Sequence, residues 1–201
     1  MRIATKGGEA SGKPLAYVII GDGYTEVRIL EAVGDKLNHS EVLLYVRWGI
    51  SIGLSAALDT LAKLFSLDKR VSKYLLIIDR EHVKSVDDVI NGLLARGFTI
   101  SGEERCYAEA CHIFTVEKGG RRGAVVVSIQ GKERRIEENI AELIRMRYNE
   151  NVSSDKKSIT EWCKRKGLSI KEVVGHSNYE LLEKAFPELI KALNTLRHAQ
   201  V

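Results

Sequence analysis

The stretch Tyr17-Val18-Ile19-Ile20-Gly21-Asp22-Gly23-Tyr24-Thr25-Glu26-Val27-Arg28-Ile29-Leu30-Glu31 decides how this chain is read. The apolar run from Leu15 to Ile20 is long enough for a strand buried on both faces, and it stops at Gly21-Asp22-Gly23. Thr25 is a candidate N-cap, and Val27, Ile29, Leu30 and Val33 give the following segment an apolar stripe at helical spacing. The pattern predicts a strand, a tight turn and a helix. Asp22 lies in the turn and Glu26 one turn into the helix. Two carboxylates therefore fall at the C-terminal end of a parallel strand, the edge where open α/β sheets bind ligands.

A second stretch has the same form. Lys73-Tyr74-Leu75-Leu76-Ile77-Ile78-Asp79-Arg80-Glu81 is another buried-type strand that ends in acids. Alternation along an extended segment points Asp79 and Glu81 to one side and Arg80 to the other. If the two strands are neighbours in one parallel sheet, the carboxylates converge on one rim. Like charges so placed repel, and a hard divalent cation is the usual remedy.

An apolar strand ending in an acid-glycine turn, then Thr25-Glu26 and a helix, then a later strand ending in Asp-x-acid, resembles the Toprim domain. That domain is shared by topoisomerases, primases, small ribonuclease-like maturases and the nucleases of the overcoming-lysogenisation-defect (OLD) group. The wording Gly23-Tyr24-Thr25-Glu26-Val27-Arg28-Ile29-Leu30 is most similar to the last group and its small stand-alone relatives. The resemblance spans about residues 14 to 145, and what it implies is specific. The fold would be a mainly parallel central sheet of about four strands flanked by helices. Asp22, Asp79 and Glu81 would hold Mg2+ or Mn2+, with Asp22 ligating it or handling the proton and Glu26 supporting them from the helix. The substrate would be DNA or RNA. Two positions depart from the family pattern: its first acid is typically Glu, where this chain has Asp22, and its second motif is typically Asp-x-Asp, where this chain has Asp79-Arg80-Glu81. Metal binding survives such a swap more readily than proton transfer, because a general acid or base must sit within hydrogen-bond reach of its partner atom. The segment Arg135-Ile136-Glu137-Glu138-Asn139 is similar to one in the same nucleases where an extra acid supports the metal, a role that falls here to Glu137 or Glu138.

With 201 residues, 44% hydrophobic and 29% charged, the composition is that of an ordinary globular protein with room for one core and an appendage. The net charge of +4 permits a polyanionic partner without demanding one, and 6% aromatic residues leave no obvious stacking platform for single strands. No apolar run approaches a membrane span and the first residues lack a signal-peptide core, so the expected location is cytoplasmic, with no membrane partner. Cys106, Cys111 and Cys163 are too few, and odd in number, for a disulfide framework; Cys106, Cys111 and His112 lack the fourth ligand of a structural zinc site.

Residues 1–13 read as a flexible arm containing a decoy. Gly7-Gly8-Glu9-Ala10-Ser11-Gly12-Lys13 fits half of a P-loop, but a P-loop follows a strand and opens a helix, and Pro14 replaces the hydroxyl that would touch magnesium. Val42–Arg47 predicts another strand, which places Arg47 on the acid rim as a phosphate contact. His112–Val116 and Ala124–Ile129 predict a hairpin around Glu117-Lys118-Gly119-Gly120-Arg121-Arg122-Gly123. Lys118, Arg121 and Arg122 at that tip, with Lys132, Arg134 and Arg135 just beyond, form the strongest cluster of positive charge and a candidate clamp for nucleic-acid backbone. The α/β domain so defined runs over 14–148. Beyond a polar linker, residues 149–201 read as a helical C-terminal extension, whose stripe of Leu181, Leu182, Ala185, Phe186, Leu189, Ile190 and Leu193 could pack on the core or on a partner subunit in a homo-oligomer.

The leading expectation is a Toprim-like, magnesium-dependent nuclease. The alternative is a non-catalytic nucleic-acid or nucleotide-binding module that keeps the scaffold without turnover.

Overall fold

The structure is a computed structural model that describes residues 1–5, 13–21, 23–37, 41–45 and 53–201. Its strands are β1 (Arg2–Thr5), β2 (Lys13–Ile20), β3 (Glu41–Tyr45), β4 (Lys73–Asp79), β5 (Thr99–Tyr107), β6 (Cys111–Lys118) and β7 (Arg121–Gln130). Its helices are α1 (Tyr24–Gly34), α2 (Leu54–Leu67), α3 (Val86–Leu94), α4 (Ile136–Tyr148), α5 (Lys156–Lys166), α6 (Ile170–Gly175), α7 (Tyr179–Ala185) and α8 (Pro187–His198). All the strands belong to one sheet of order β1-β3-β2-β4-β7-β6-β5. Pairing is parallel from β1 through β7 and antiparallel on either side of β6.

The double-sided apolar runs do what their pattern demands. On β2, Ala16 and Val18 enter one core while Tyr17 and Ile19 enter the other; on β4, Leu75 and Ile77 are set against Tyr74, Leu76 and Ile78. The first core is closed by α1 and by the helices from α4 onward, the second by α2 and α3. Ser85 caps α3 in a capping box with Asp88, as its sequence suggests, while α1 is capped by Gly23 and not by Thr25.

The fold corrects two expectations and decides a third. Among the described residues the sheet has seven strands rather than about four. One addition is β1, where the sequence reads as a loose arm; another is β5, a largely exposed strand whose polar sequence carries no apolar alternation and which is held by pairing to β6. The C-terminal helices take the core-packing reading of their apolar stripe. Leu182, Ala185, Phe186, Leu189, Ile190 and Leu193 join the same core as β2 and β4, and α8 packs on β4, β5, β6 and β7. The stripe that could have served a partner subunit covers the chain's own sheet. Finally, Cys106 and Cys111 form a disulfide across the β5–β6 turn, so neither offers a thiolate to zinc, and Cys163 is free and buried.

Candidate functional site at the carboxyl rim

Strand order defines where a site can form. The chain leaves β2 through α1 to reach β3 on one side, then passes through α2 to β4 on the other side of β2. The direction of winding therefore reverses between β2 and β4, which is the switch point at which open α/β sheets present a crevice beyond their carboxyl ends. The carboxyl ends of β2 and β4 sit at this point. Ile20 pairs with Ile77, Gly21 N–H donates to the Ile77 carbonyl at 2.9 Å, and Gly53 N–H in turn donates to the Gly21 carbonyl at 2.5 Å. Asp22 and Arg47 lie outside the described residues.

Asp79 ends β4 with only 2% of its surface exposed. Its Oδ1 accepts the backbone N–H of Ile136 at 3.1 Å, so the carboxylate rests on the N-terminus of α4, where the helix dipole favours negative charge. The strand stops there. Arg80–His82 form a 3-10 turn, which breaks the extended alternation, and Glu81 is fixed instead by its own N–H donating to the Arg134 carbonyl at 2.9 Å. Glu81 still faces the rim: its Oε2 is 2.8 Å from Arg135 Nε and 3.6 Å from Arg134 Nη2. The hydrogen bond from Arg135 holds the Glu81 carboxyl below its ordinary range against some desolvation, and the charges of Arg135, His82 and Arg134 act in the same direction. Arg135 is raised chiefly by its bond to Glu81, with further contributions from the charges of Glu137 and Asp79.

Glu26 is buried, at 4% exposed, and its Oε2 lies 3.9 Å from where a Cβ on Gly23 would stand, so it folds back over the first turn of α1. Glu137 is 9% exposed in the first turn of α4. Glu138 serves the backbone, accepting Glu133 N–H at 2.7 Å and Arg134 N–H at 3.0 Å. The structure thus brings Asp79, Glu81 and Glu137 around Arg135, with Gly21, Gly23 and Glu26 on the neighbouring strand unit.

The basic hairpin tip is elsewhere. β7 is parallel to β4 with Asp79 opposite Gln130, so Arg122 stands at the other end of β7, about 26 Å away at the usual rise per residue. Two of its members are also occupied. Lys118 Nζ donates to the Arg96 carbonyl at 2.7 Å over the Phe98 ring. Arg121 donates to the carbonyls of Phe65, Asp68 and Val71 and stacks over Phe65. Arg122 is exposed. The single basic cluster read from sequence is two clusters at opposite ends of the strands, and the one beside the acids consists of Arg80, Lys132, Arg134 and Arg135.

The hard carboxylate oxygens at the rim are suitable donors for magnesium. As arranged, however, Glu81 is neutralised by Arg135, and among the described residues no three His, Cys, Asp or Glu side chains are placed to hold a metal ion. Sequence reasoning also missed Asn139 and Glu188, buried beneath the rim; an Asn on a helix and a Glu after a proline carry no signal of their own.

No known family, no curated protein and no solved structure matches this chain. Among the described residues no helix is long and apolar enough to cross a membrane.

Proposed function

We propose that the protein is Toprim-like and acts on nucleic-acid phosphodiester bonds as a magnesium-dependent nuclease, with the carboxyl rim as its working site. The observation that supports this reading is the switch point. The carboxyl ends of β2 and β4, far apart in sequence, are joined by the Gly21–Ile77 hydrogen bond at the edge where α/β sheets bind ligands. Asp22, Asp79 and Glu81 are the proposed metal ligands, Asp22 being the one that must complete a set the described residues leave short, with Glu26 in support. Arg80, Lys132, Arg134 and Arg135 replace the hairpin tip as the basic groups in place to meet phosphate. DNA and RNA are both retained as substrates.

A second reading has its own observation in favour. The Arg135–Glu81 pair supplies positive charge where a cation would sit, which suits a module that binds nucleic acid without cleaving it.

Incubation with end-labelled DNA and RNA in Mg2+ or Mn2+ separates the two. Asp79→Asn keeps an acceptor for the Ile136 N–H, so it should remain folded. Metal-dependent cleavage that falls at least about 100-fold in Asp79→Asn and in Asp22→Asn supports the nuclease. Retarded migration without cleavage supports the module, and neither cleavage nor binding removes both.

A further inference from the structure

Below the rim, on the face covered by α4 and α8, Ser128, Gln130, Asn139 and Glu188 form a layer of buried polar side chains. Asn139 is its hub. The Asn139 Oδ1 accepts Gly131 N–H at 2.9 Å, and its Nδ2 donates to the Ala185 carbonyl at 2.7 Å and to Glu188 Oε1 at 2.8 Å. Gly131 opens the turn that carries Arg134 and Arg135, and this turn is fastened to the acidic segment at four points. Arg80 Nε donates to the Gly131 carbonyl at 3.0 Å, Glu81 N–H to the Arg134 carbonyl at 2.9 Å, Arg135 pairs with Glu81 at 2.8 Å, and Ile136 N–H meets Asp79 at 3.1 Å. The turn has little slack, because Gly131 holds a φ of +86° and a Cβ there would collide with the Arg135 backbone.

We propose that Glu188 and Asn139 are a proton-linked positioning pair: the protonation state of the Glu188 carboxyl sets, through Asn139 and the Gly131 turn, the placement of the Asp79-Arg80-Glu81 segment. When protonated, Glu188 accepts from Asn139 without a buried charge. When ionised, it puts a negative charge at a site only 5% exposed. The charged groups facing it are Arg80, from the turn after β4, and Lys132, from the turn after β7; α4 presents the neutral Asn139 and α7 the Ala185 carbonyl. Burial pushes this carboxyl from its ordinary 4.5 up to about 7, against the backbone and Asn139 hydrogen bonds and the charges of Arg80 and Lys132. Ionisation near neutrality strengthens the pull on Arg80, whose Nε otherwise serves Gly131. The folded state holds this proton longer than the unfolded chain does, so stability from this group is full below 4.5 and lost as pH rises through about 7.

The inference depends on the rim reading above for its functional meaning, but its test does not. Amide resonances of Arg80, Glu81, Gly131 and Ile136 in the 15N-labelled full chain are followed across neutral pH. A shared midpoint near 7 that disappears in Glu188→Gln supports the pair, and any titration that the variant retains belongs to other groups. Rim amides that stay flat, or that titrate identically in Glu188→Gln, overturn it. If Glu188→Gln does not fold, the 13C carboxyl resonance of Glu188 in the unaltered protein decides: a midpoint coinciding with the rim amides supports the coupling, and one near the ordinary 4.5 sinks it. Intact coupling without any nuclease activity would retire the phosphodiester reading and leave this one standing.

Discussion

Arg121 and Arg135 are both arginines beside glycine turns, and only their acceptors tell them apart. Arg121 satisfies three carbonyls at the end of α2 and the start of β4, so it is a fastener between layers. Arg121→Ala leaves those carbonyls without their donor and is expected to lower stability by about 2 kcal/mol in urea denaturation, with nucleic-acid retardation unchanged at equal folded concentration. Arg135 has a carboxylate for its partner and stands at the rim. Asp79 and Glu81 were legible as rim residues because a strand's polarity and the βα rule place its last acids. Their partners were not, because the Ile136 N–H and the Arg135 guanidinium arrive from more than fifty positions along the chain.

At the scale of elements, strands with apolar residues on both faces declare themselves, and β2, β4 and the β6–β7 hairpin lie where the periodicity puts them. β5 does not, since a mostly exposed edge strand takes its structure from the neighbour it pairs with. The turn from Gly131 to Arg135 is the element on which the candidate site depends most. Gly131→Ala adds a Cβ to a left-handed backbone already in contact with Arg135, and the expected loss is about 2 kcal/mol or more. The Asp79–Ile136 hydrogen bond should weaken with it, visible as faster hydrogen exchange at the Ile136 amide. A change confined to global stability, with that amide still protected, would show that the turn and the rim are independent.

For the whole molecule, the decisive fact is that the last fifty residues close the first core. Phe186, Leu189, Ile190, Leu193 and Leu196 are buried against the sheet, and Trp162 is fully buried with its indole N–H on Glu150 at 2.8 Å. A chain ending at Tyr148 would expose one face of the sheet, and it is expected to lose cooperative thermal unfolding and to bind a hydrophobic dye or aggregate. A sharp, reversible melt of that fragment would restore the reading of an independent α/β domain with an appendage. The sequence by itself determined the α/β class and the parallel central strands, because each follows from local periodicity and from the geometry of a strand feeding a helix. Tertiary structure alone decided three things: that the carboxyl ends of β2 and β4 meet at a switch point, that the basic residues divide between opposite ends of the strands, and that Asn139 and Glu188 lie beneath the rim. Each depends on strand order and on contacts between distant segments, and the free energy of those contacts leaves no periodic trace in the chain.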